Sequence, residues 1–321
     1  MVKIEKVNIH AESLENNKPG DPADREVLIF SNNYEESSPL LIGIAGFYGT
    51  AASFLNRSYS SQDFISTLER ISKQNPDVSY LMAIPDTMTS YCGNQYLNSS
   101  AVGNYEDFIV NDLIGFLMEK YGKRKTGIFG KSSGGFGAYT LTVRHPEVFS
   151  GFIDVSGDSL FEYCYLKDFP GAIEMFRDSE PGKFLQDFRS KGYHSNQELN
   201  AMEVIAMSAF YSPDTESPYD FVLPFDIESG KIRYDVWNRW LEVDPARTVV
   251  RSAPILKGKK IILQVGKRDE FALNIGMSSM HRTLEAHGIE HSYQEYDTGH
   301  FSIDYLYQYS LPELARFLSG L

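Results

Sequence analysis

The segment spanning residues 125–138 is the sequence feature that most restricts how this chain can fold. Its sequence, KTGIFGKSSGGFGA, begins with an apolar run that predicts a strand, continues with the pattern G-x-S-x-G and ends in a helical pattern. A serine exposed at a tight strand-to-helix turn needs neighbours without a Cβ atom two positions before and after it, and Gly130 and Gly134 flank Ser132 in this way. The segment therefore predicts an α/β sheet in which Ser132 lies at the end of a strand.

The glycines of this turn exclude two alternative interpretations. Ser133 does not fit as the central residue, because Lys131 rather than glycine lies two positions before it. The same residues resemble the end of a phosphate-binding loop, G-x-x-x-x-G-K-[ST], but Lys125 stands where that loop needs its first glycine. Without that glycine the backbone N–H groups do not wrap a phosphate, so nucleotide binding is the weakest alternative.

Strand and helix patterns alternate along most of the chain. Apolar, β-branched runs predict buried strands at residues 26–30, 40–45, 79–84, 126–129, 151–155 and 260–265. Amphipathic patterns predict helices at residues 61–74, 105–121 and 136–145. This alternation predicts an α/β fold with a mostly parallel central sheet that helices cover on both faces.

The alternation stops between residues 158 and 253, a stretch rich in aromatic residues and prolines. We expect one domain of residues 1–321 in which this stretch is a lid-like helical insertion, placed over the sheet edge where open α/β folds bind ligands. Trp237 and Trp240, spaced i, i+3 on a predicted helix, are then candidate substrate-binding residues. The alternative is an outer layer that packs its aromatic residues into the main core.

A nucleophilic serine needs a general base, and His300 is the candidate. It lies in the polar loop 296–301, YDTGHF, after a predicted last strand and before a C-terminal helix. His145 ends the helix after Ser132, where an imidazolium suits the helix C-terminus, so we assign it a structural role. The remaining candidates, His281, His287 and His291, lack the glutamate of a zinc-binding H-E-x-x-H pattern, and we expect surface residues and no metal site.

The acid that orients the base should follow a late strand. Asp269 lies in the exit loop 266–271, GKRDEF, after the strand predicted at 260–265. Glu270 is the adjacent second choice, and Asp158 is a more distant one. The developing oxyanion also needs donors, for which we expect the backbone N–H of Ser133 and that of Phe47 in the loop 45–49, AGFYG. The alternative for that loop is a plain glycine turn.

Composition excludes several classes of function. Lys and Arg total 30 against 43 Asp and Glu, and the formal charge of −13 repels phosphate backbones and anionic lipids. We therefore expect no nucleic-acid partner, and no apolar stretch predicts an export signal or a membrane span. Cys92 and Cys164 lack the spacing of a metal or redox motif and leave open whether they pair, so a cytoplasmic location is the expectation.

These residues together resemble the putative esterases of the α/β-hydrolase superfamily, which include esterase D, enterochelin esterase-like proteins and mycolyltransferases. The resemblance rests on six segments: 17–22 (NKPGDP), 44–47 (IAGF), 130–138 (GKSSGGFGA), 144–149 (RHPEVF), 266–271 (GKRDEF) and 299–300 (GH). It implies the triad Ser132, Asp269 and His300, whose order along the chain is that of this superfamily. It also implies Phe47 and Ser133 as oxyanion donors; Lys131 stands where such proteins often have histidine.

The predicted function is that of a serine carboxylester hydrolase that forms an acyl-enzyme on a small-molecule ester, with no metal or organic cofactor. An acyltransferase or peptidase with the same triad is the first alternative, because leaving-group recognition resides in loops. A non-catalytic scaffold that retains the fold is the second. The filled triad positions argue against that scaffold.

Overall fold

An eight-stranded sheet forms the centre of the computed structural model, which describes residues 2–59, 62–301 and 303–321. Its strands are β1 (Lys3–His10), β2 (Asp24–Asn32), β3 (Leu40–Ile44), β4 (Tyr80–Pro85), β5 (Thr126–Lys131), β6 (Phe149–Val155), β7 (Lys260–Gly266) and β8 (Ser292–Tyr296). They lie in the order β1-β2-β4-β3-β5-β6-β7-β8. Only β2 runs antiparallel to its neighbours β1 and β4 among these pairs, so the sheet is mostly parallel, as predicted.

The strand sequences explain their places in the sheet. Every residue of β3 (LLIGI) and β4 (YLMAIP) is buried, as expected of central strands covered on both faces. Each of the six predicted runs lies within or overlaps an observed strand. The sequence did not predict β1, whose alternating charges and mostly exposed residues are typical of an edge strand.

Helices cover both faces of the sheet. The longer ones are α1 (Phe64–Gln74), α2 (Ile114–Tyr121), α3 (Ser133–Arg144), α4 (Phe169–Asp178), α5 (Pro181–Ser190), α6 (Asn196–Tyr211), α7 (Tyr234–Leu241), α8 (Pro245–Leu256), α9 (Leu273–Ala286) and α10 (Tyr307–Ser319). One apolar cluster joins α1 and α10 to one face, and a second joins α2, α3, α8 and α9 to the other. Among the described helices, none has both the length and the apolar character that a bilayer crossing needs.

The predicted helices are close to the observed ones. The prediction for 61–74 corresponds to α1, which begins at Phe64 behind an Asp63 side chain that accepts from the Ser66 N–H at 2.7 Å; Ser61 is outside the described residues. The prediction for 105–121 corresponds to a short helix (Tyr105–Asp107), a π-helical stretch (Phe108–Leu113) and α2. The prediction for 136–145 corresponds to α3.

The stretch 158–253 contains α4 to α7 and most of α8, all between β6 and β7. Its aromatic side chains share one apolar cluster with the helices on that face of the sheet. Trp240 is completely buried and Trp237 is 4% exposed, and the Trp240 indole N–H donates to Ser212 Oγ at 3.0 Å. The aromatic residues of the stretch therefore belong to the same apolar core as the helices on that face of the sheet.

Trp240→Ala should lower the free energy of unfolding by about 3–5 kcal/mol, because it leaves a large cavity and removes the indole hydrogen bond. Urea denaturation measures the change. Tyr234→Ala on the same helix is the control, since Tyr234 is 70% exposed and its loss should change the stability by no more than about 0.5 kcal/mol. Equal losses in the two variants would contradict this account.

Candidate active site

Ser132 stands between β5 and α3 in a strained turn. It is the N-cap residue of α3 with φ 57° and ψ −128°, a conformation that costs about 1–3 kcal/mol in a residue other than glycine. Its backbone N–H donates to the Val155 carbonyl at 3.0 Å, which ties the turn to the end of β6. The turn lifts the Ser132 side chain away from the sheet, as a nucleophile requires.

The two glycines of the turn are required by close contacts. A Cβ atom on Gly130 would lie 2.3 Å from the backbone of Gly134, and one on Gly134 would lie 2.4 Å from the Ile44 carbonyl oxygen. Real Cβ atoms do not approach backbone atoms so closely. The G-x-S-x-G pattern is therefore a packing requirement of this turn and of its contact with β3.

His300 and Asp269 form a buried pair. The imidazole Nδ1 and the Asp269 Oδ2 are 2.9 Å apart, and the exposed fractions of the two side chains are 5% and 0%. The second carboxylate oxygen, Oδ1, accepts from the backbone N–H groups of Phe271 at 2.9 Å and Leu273 at 3.4 Å. A carboxylate at Nδ1 fixes the ring so that Nε2 is the atom that exchanges a proton.

Hydrogen bonding keeps Asp269 ionised despite its burial. Burial raises the pKa of Asp269, but the hydrogen bond and charge of His300, together with the two backbone N–H donors, outweigh it and hold the pKa below its ordinary value. Glu270, the second choice from the sequence, accepts instead from the backbone N–H of His300 at 2.5 Å. The two adjacent acids thus contact different parts of the same histidine.

A cavity of about 620 Å³ lies over this pair, and Ser132, His300 and Phe47 are among its lining residues. Among the described residues, Ser132 Oγ donates its hydrogen bond to Asp158 Oδ1, at 3.4 Å, rather than to His300. Hydrogen bonds of catalytic groups are often long before substrate binds, and rotation about χ1 of Ser132 re-aims the hydroxyl. Nucleophile and base candidates therefore share one cavity.

The loop 45–49 approaches Ser132 through a glycine. A Cβ atom on Gly46 would lie 2.9 Å from the Lys131 carbonyl oxygen and 3.4 Å from the Ser132 Cβ. This contact places the next residue, Phe47, at the cavity. Hydrogen bonds among the described residues use neither the Phe47 N–H nor the Ser133 N–H, so both donors are free for a ligand.

Comparison with known proteins identifies the family of this chain. A model of the putative esterase family matches residues 93–318, more than half of the chain. The chain belongs to the putative esterase family. It is therefore a serine esterase. A search of proteins with curated functions found no match.

The esterase is also similar to solved structures. It aligns with a ferulic acid esterase at TM-score 0.60 and 14% identity, over 100% of this chain and 98% of the other. An S-formylglutathione hydrolase from Agrobacterium tumefaciens aligns at TM-score 0.60 and 13% identity, over 98% of this chain and 95% of the other. The fluorophosphonate-binding serine hydrolase F of Staphylococcus aureus aligns at TM-score 0.56 and 10% identity, over 99% of this chain and 98% of the other. These likenesses show the α/β-hydrolase fold, as the sequence predicts.

Asp158 lies closer to Ser132 of the esterase than the sequence indicates. Its Oδ2 accepts from the hydroxyls of Ser133 and Tyr165, both at 3.0 Å, and from Gln95 Nε2 at 3.4 Å. Its bonds are to these groups and to Ser132 rather than to the imidazole. Burial raises the pKa of Asp158, and these hydrogen bonds and the charge of His300 oppose the rise.

The tryptophans do not take the place that the sequence predicts for them. Neither Trp237 nor Trp240 is among the described residues that line the esterase cavity, because both are packed inside the insertion. Trp240 stands behind the wall, with its ring centroid 5.8 Å from that of Tyr165, which does line the cavity. The aromatic density of the insertion therefore marks a core rather than a pocket.

Helix α6 forms much of the cavity wall that the sequence analysis missed. Four of its residues at helical spacing, Asn196, Leu199, Asn200 and Glu203, line the cavity. Tyr48 of the loop 45–49 donates its hydroxyl to the Leu199 carbonyl at 2.8 Å and joins that loop to the insertion. The sequence signal that could have identified this wall is the helical spacing of the polar residues Asn196, Asn200 and Glu203 on an otherwise buried helix.

The other histidines of the esterase lie elsewhere. His145 Nε2 contacts Glu106 Oε1 at 2.7 Å at the end of α3. His281 and His291 contact each other at 2.7 Å at partly exposed positions, with the His281 ring stacked on Tyr293, and His287 is exposed. Within the described residues, His, Cys, Asp and Glu side chains do not gather in threes as a metal site would need.

Asp154, at the end of β6, is a buried carboxyl below the Ser132 turn. Burial raises its pKa to about 8, the charge of Asp158 adds to the rise, and a hydrogen bond from the Gly157 N–H opposes it. Its Oδ1 has no partner among the described residues. Between about pH 4 and pH 8 the folded chain keeps this proton and the unfolded chain releases it, so the esterase loses stability as the pH rises.

Asp154→Asn should remove this dependence. The stability of the variant minus that of the wild type should increase by roughly 2–4 kcal/mol between pH 5 and pH 8, since each pH unit is worth about 1.4 kcal/mol. Urea denaturation at the two pH values measures the difference. Asp178→Asn, at an exposed position, should leave the difference constant. A difference that stays flat for Asp154→Asn would show that this carboxyl ionises in the folded chain.

Proposed function

We propose that the chain hydrolyses carboxylic esters of small molecules through a Ser132-His300-Asp269 triad and a covalent acyl-enzyme. The observation that carries the proposal is the buried His300–Asp269 pair, at 2.9 Å, on a cavity that Ser132 also lines. A serine at a strand-to-helix turn becomes nucleophilic when an imidazole, oriented by a carboxylate, can take its proton. Ser132 and His300 share the cavity in which this transfer would occur.

The reaction begins with transfer of the Ser132 hydroxyl proton to His300 Nε2 as Oγ bonds to the ester carbonyl carbon. The carbonyl oxygen becomes an oxyanion, which the free N–H groups of Phe47 and Ser133 stabilise. Ionised Asp269 stabilises the imidazolium. The carbon–oxygen bond to the leaving alcohol then breaks, and the imidazolium returns the proton to that oxygen.

Water completes the cycle. His300 takes a proton from a water molecule as its oxygen attacks the acyl carbon, and the proton returns to Ser132 Oγ as the acid departs. An alcohol or amine in place of this water would make the protein an acyltransferase. The triad serves both reactions, so a hydrolase and a transferase differ in which acceptor reaches the acyl-enzyme.

The location and organisation of the protein belong to the same proposal. Both cysteines are free thiols, as suits a reducing compartment, and we place the enzyme in the cytoplasm. Residues 158–253 share an apolar cluster with the sheet face, which supports one domain over 1–321 with an inserted segment. That segment covers the cavity through α6, the position expected of a lid.

Pre-steady-state hydrolysis tests this function. A panel of p-nitrophenyl esters of increasing acyl length should give turnover, with a burst of one p-nitrophenol per active site where deacylation is slow. Mass spectrometry of the quenched enzyme should find the acyl group on Ser132. Added alcohols or amines that divert the acyl group faster than water would identify a transferase. Absence of both turnover and adduct across the panel contradicts the proposal.

A further inference from the structure

The cavity over Ser132 carries more acidic than basic side chains. Four carboxylic acids and one lysine line it: Asp158, Asp168, Glu203, Glu270 and Lys167. Three of the acids have partners: Asp158 and Glu270 as described above, and Asp168, which accepts from Asn200 Nδ2 at 2.9 Å. Glu203 differs, because the described residues offer it neither a hydrogen bond nor an ion pair. It is a carboxyl group in the cavity without a partner among the described residues.

The surroundings of Glu203 favour a cation beside it. Burial raises the pKa of Glu203 to about 8, and the charges of Asp158 and Asp168 add to the rise. The charge of Lys167 opposes the rise only in part; its ammonium donates to the Glu270 carbonyl at 3.1 Å and lies 4.7 Å from the Phe271 ring centroid. Glu203 is partly buried, and a positive group delivered by a ligand would offset the cost of burying its charge.

The other walls of the cavity suit an ammonium group. Five aromatic side chains line it: Phe47, Tyr48, Tyr165, Phe271 and Phe301. The faces of such rings attract ammonium ions, most strongly where water is excluded. A volume of about 620 Å³ accommodates both an ester and a small ammonium group. Carboxylate and aromatic walls together distinguish this cavity from a purely apolar acyl pocket.

The chemistry of ester hydrolysis gives a further reason for a cation in this cavity. Asp158 Oδ1 is 3.4 Å from Ser132 Oγ, the atom that bonds to the ester carbonyl carbon in the proposed reaction. Negative charge there opposes the developing oxyanion of a neutral ester. A cation bound at Glu203, in the same cavity, offsets that repulsion as charge develops, so it assists the transition state as well as binding.

We infer that the preferred substrates are esters that carry a positively charged ammonium group, which Glu203 binds while the ester carbonyl lies at Ser132. The inference rests on the proposed esterase function and adds a substrate class to it. Glu203 acts in it as the specificity-determining residue.

Isosteric ester pairs test the inference on the wild-type enzyme. The acyl pair is p-nitrophenyl 4-(trimethylammonio)butanoate and p-nitrophenyl 5,5-dimethylhexanoate; the alcohol pair is acetylcholine and 3,3-dimethylbutyl acetate. Each kcat/KM is divided by the hydroxide-catalysed rate of the same ester. We expect the cationic ester to be favoured by roughly 10- to 100-fold in one pair, which identifies the half that carries the charge. A ratio of one or less in both pairs overturns the inference.

Glu203→Gln tests the residue. The cationic-to-neutral ratio should fall by roughly 10- to 100-fold, since the amide keeps the shape and loses the charge. Glu174→Gln is the matched control, an exposed residue of α4 whose replacement should leave both rates unchanged. An unchanged ratio in Glu203→Gln overturns the assignment.

Competitive inhibition keeps the test open if Glu203→Gln fails to fold. Choline should inhibit wild-type hydrolysis of a neutral ester at a concentration at least about tenfold below that of 3,3-dimethylbutanol, and equal potency overturns the inference. The two levels of failure are distinct. Turnover of neutral esters without cation preference removes only the substrate class, whereas absence of all ester turnover removes the proposed function.

Discussion

Replacing Ser132 with alanine should lower kcat for ester hydrolysis by about 10⁶, the loss measured for nucleophiles of this kind of triad. The variant keeps the His300–Asp269 pair but has no oxygen to bond to the acyl carbon. Residual turnover then comes only from the oxyanion donors and from binding. Steady-state kinetics with a p-nitrophenyl ester measures kcat, and a fluorophosphonate probe followed by peptide mass spectrometry should label Ser132 in the wild type and nothing in the variant.

Ser133→Ala is the matched control on the adjacent residue. Its hydroxyl donates to Asp158 Oδ2 at 3.0 Å and accepts from Gln95 Nε2 at 2.7 Å, so the variant should lose about 1–3 kcal/mol of stability. Its backbone N–H remains for the oxyanion, and kcat should fall far less than in Ser132→Ala. Labelling of Ser133 by the probe would show that Ser133, rather than Ser132, is the nucleophile.

Replacing Asp269 with asparagine should lower kcat by about 10⁴ with little change in KM. The amide lets the imidazole adopt the wrong tautomer and removes the charge that stabilises the imidazolium. The loss should be measured over a range of pH. The pKa of Asp269 is lowered in the folded chain, so the stability that its ionised form contributes is fully present at neutral pH and declines as the pH falls through the carboxyl range. Asp269→Asn loses that contribution at neutral pH, so kcat should be measured under conditions where the variant stays folded.

Glu270→Gln separates the two adjacent acids. Glu270 contacts the backbone N–H of His300, and a glutamine oxygen still accepts from that donor. Its kcat should therefore stay close to that of the wild type. The opposite pattern, a severe Glu270→Gln and a mild Asp269→Asn, would assign the orienting acid to Glu270 and leave the reaction class unchanged.

Features that depend on a few neighbouring residues could be predicted from the sequence. The turn at Ser132 needs two glycines within five residues, and close contacts in the structure explain both. The loops that carry Asp269 and His300 could be located because each follows a predicted strand. Neighbouring parallel strands β7 and β8 then bring the two side chains into contact. Their catalytic roles stay predictions until the variants are measured.

Features that depend on packing between distant segments could not be predicted. The aromatic residues of the insertion suit a pocket and a core equally well by composition, and only the fold shows Trp240 completely buried. The contact between Asp158 and Ser132 joins residues 26 positions apart. Glu203 reaches the same cavity from a helix whose direction no local pattern specifies.

The hydrogen bond from Tyr48 to the Leu199 carbonyl has a consequence for transplanting parts of this enzyme into a relative. The candidate reacting groups follow β3, β5, β7 and β8, while α6 arrives with the segment after β6. Grafting that segment onto another hydrolase scaffold exchanges the cavity wall that contains Glu203 and leaves the candidate reacting groups in place. The graft must also supply a carbonyl for the tyrosine of the receiving loop, because that hydrogen bond joins α6 to the loop that carries Phe47.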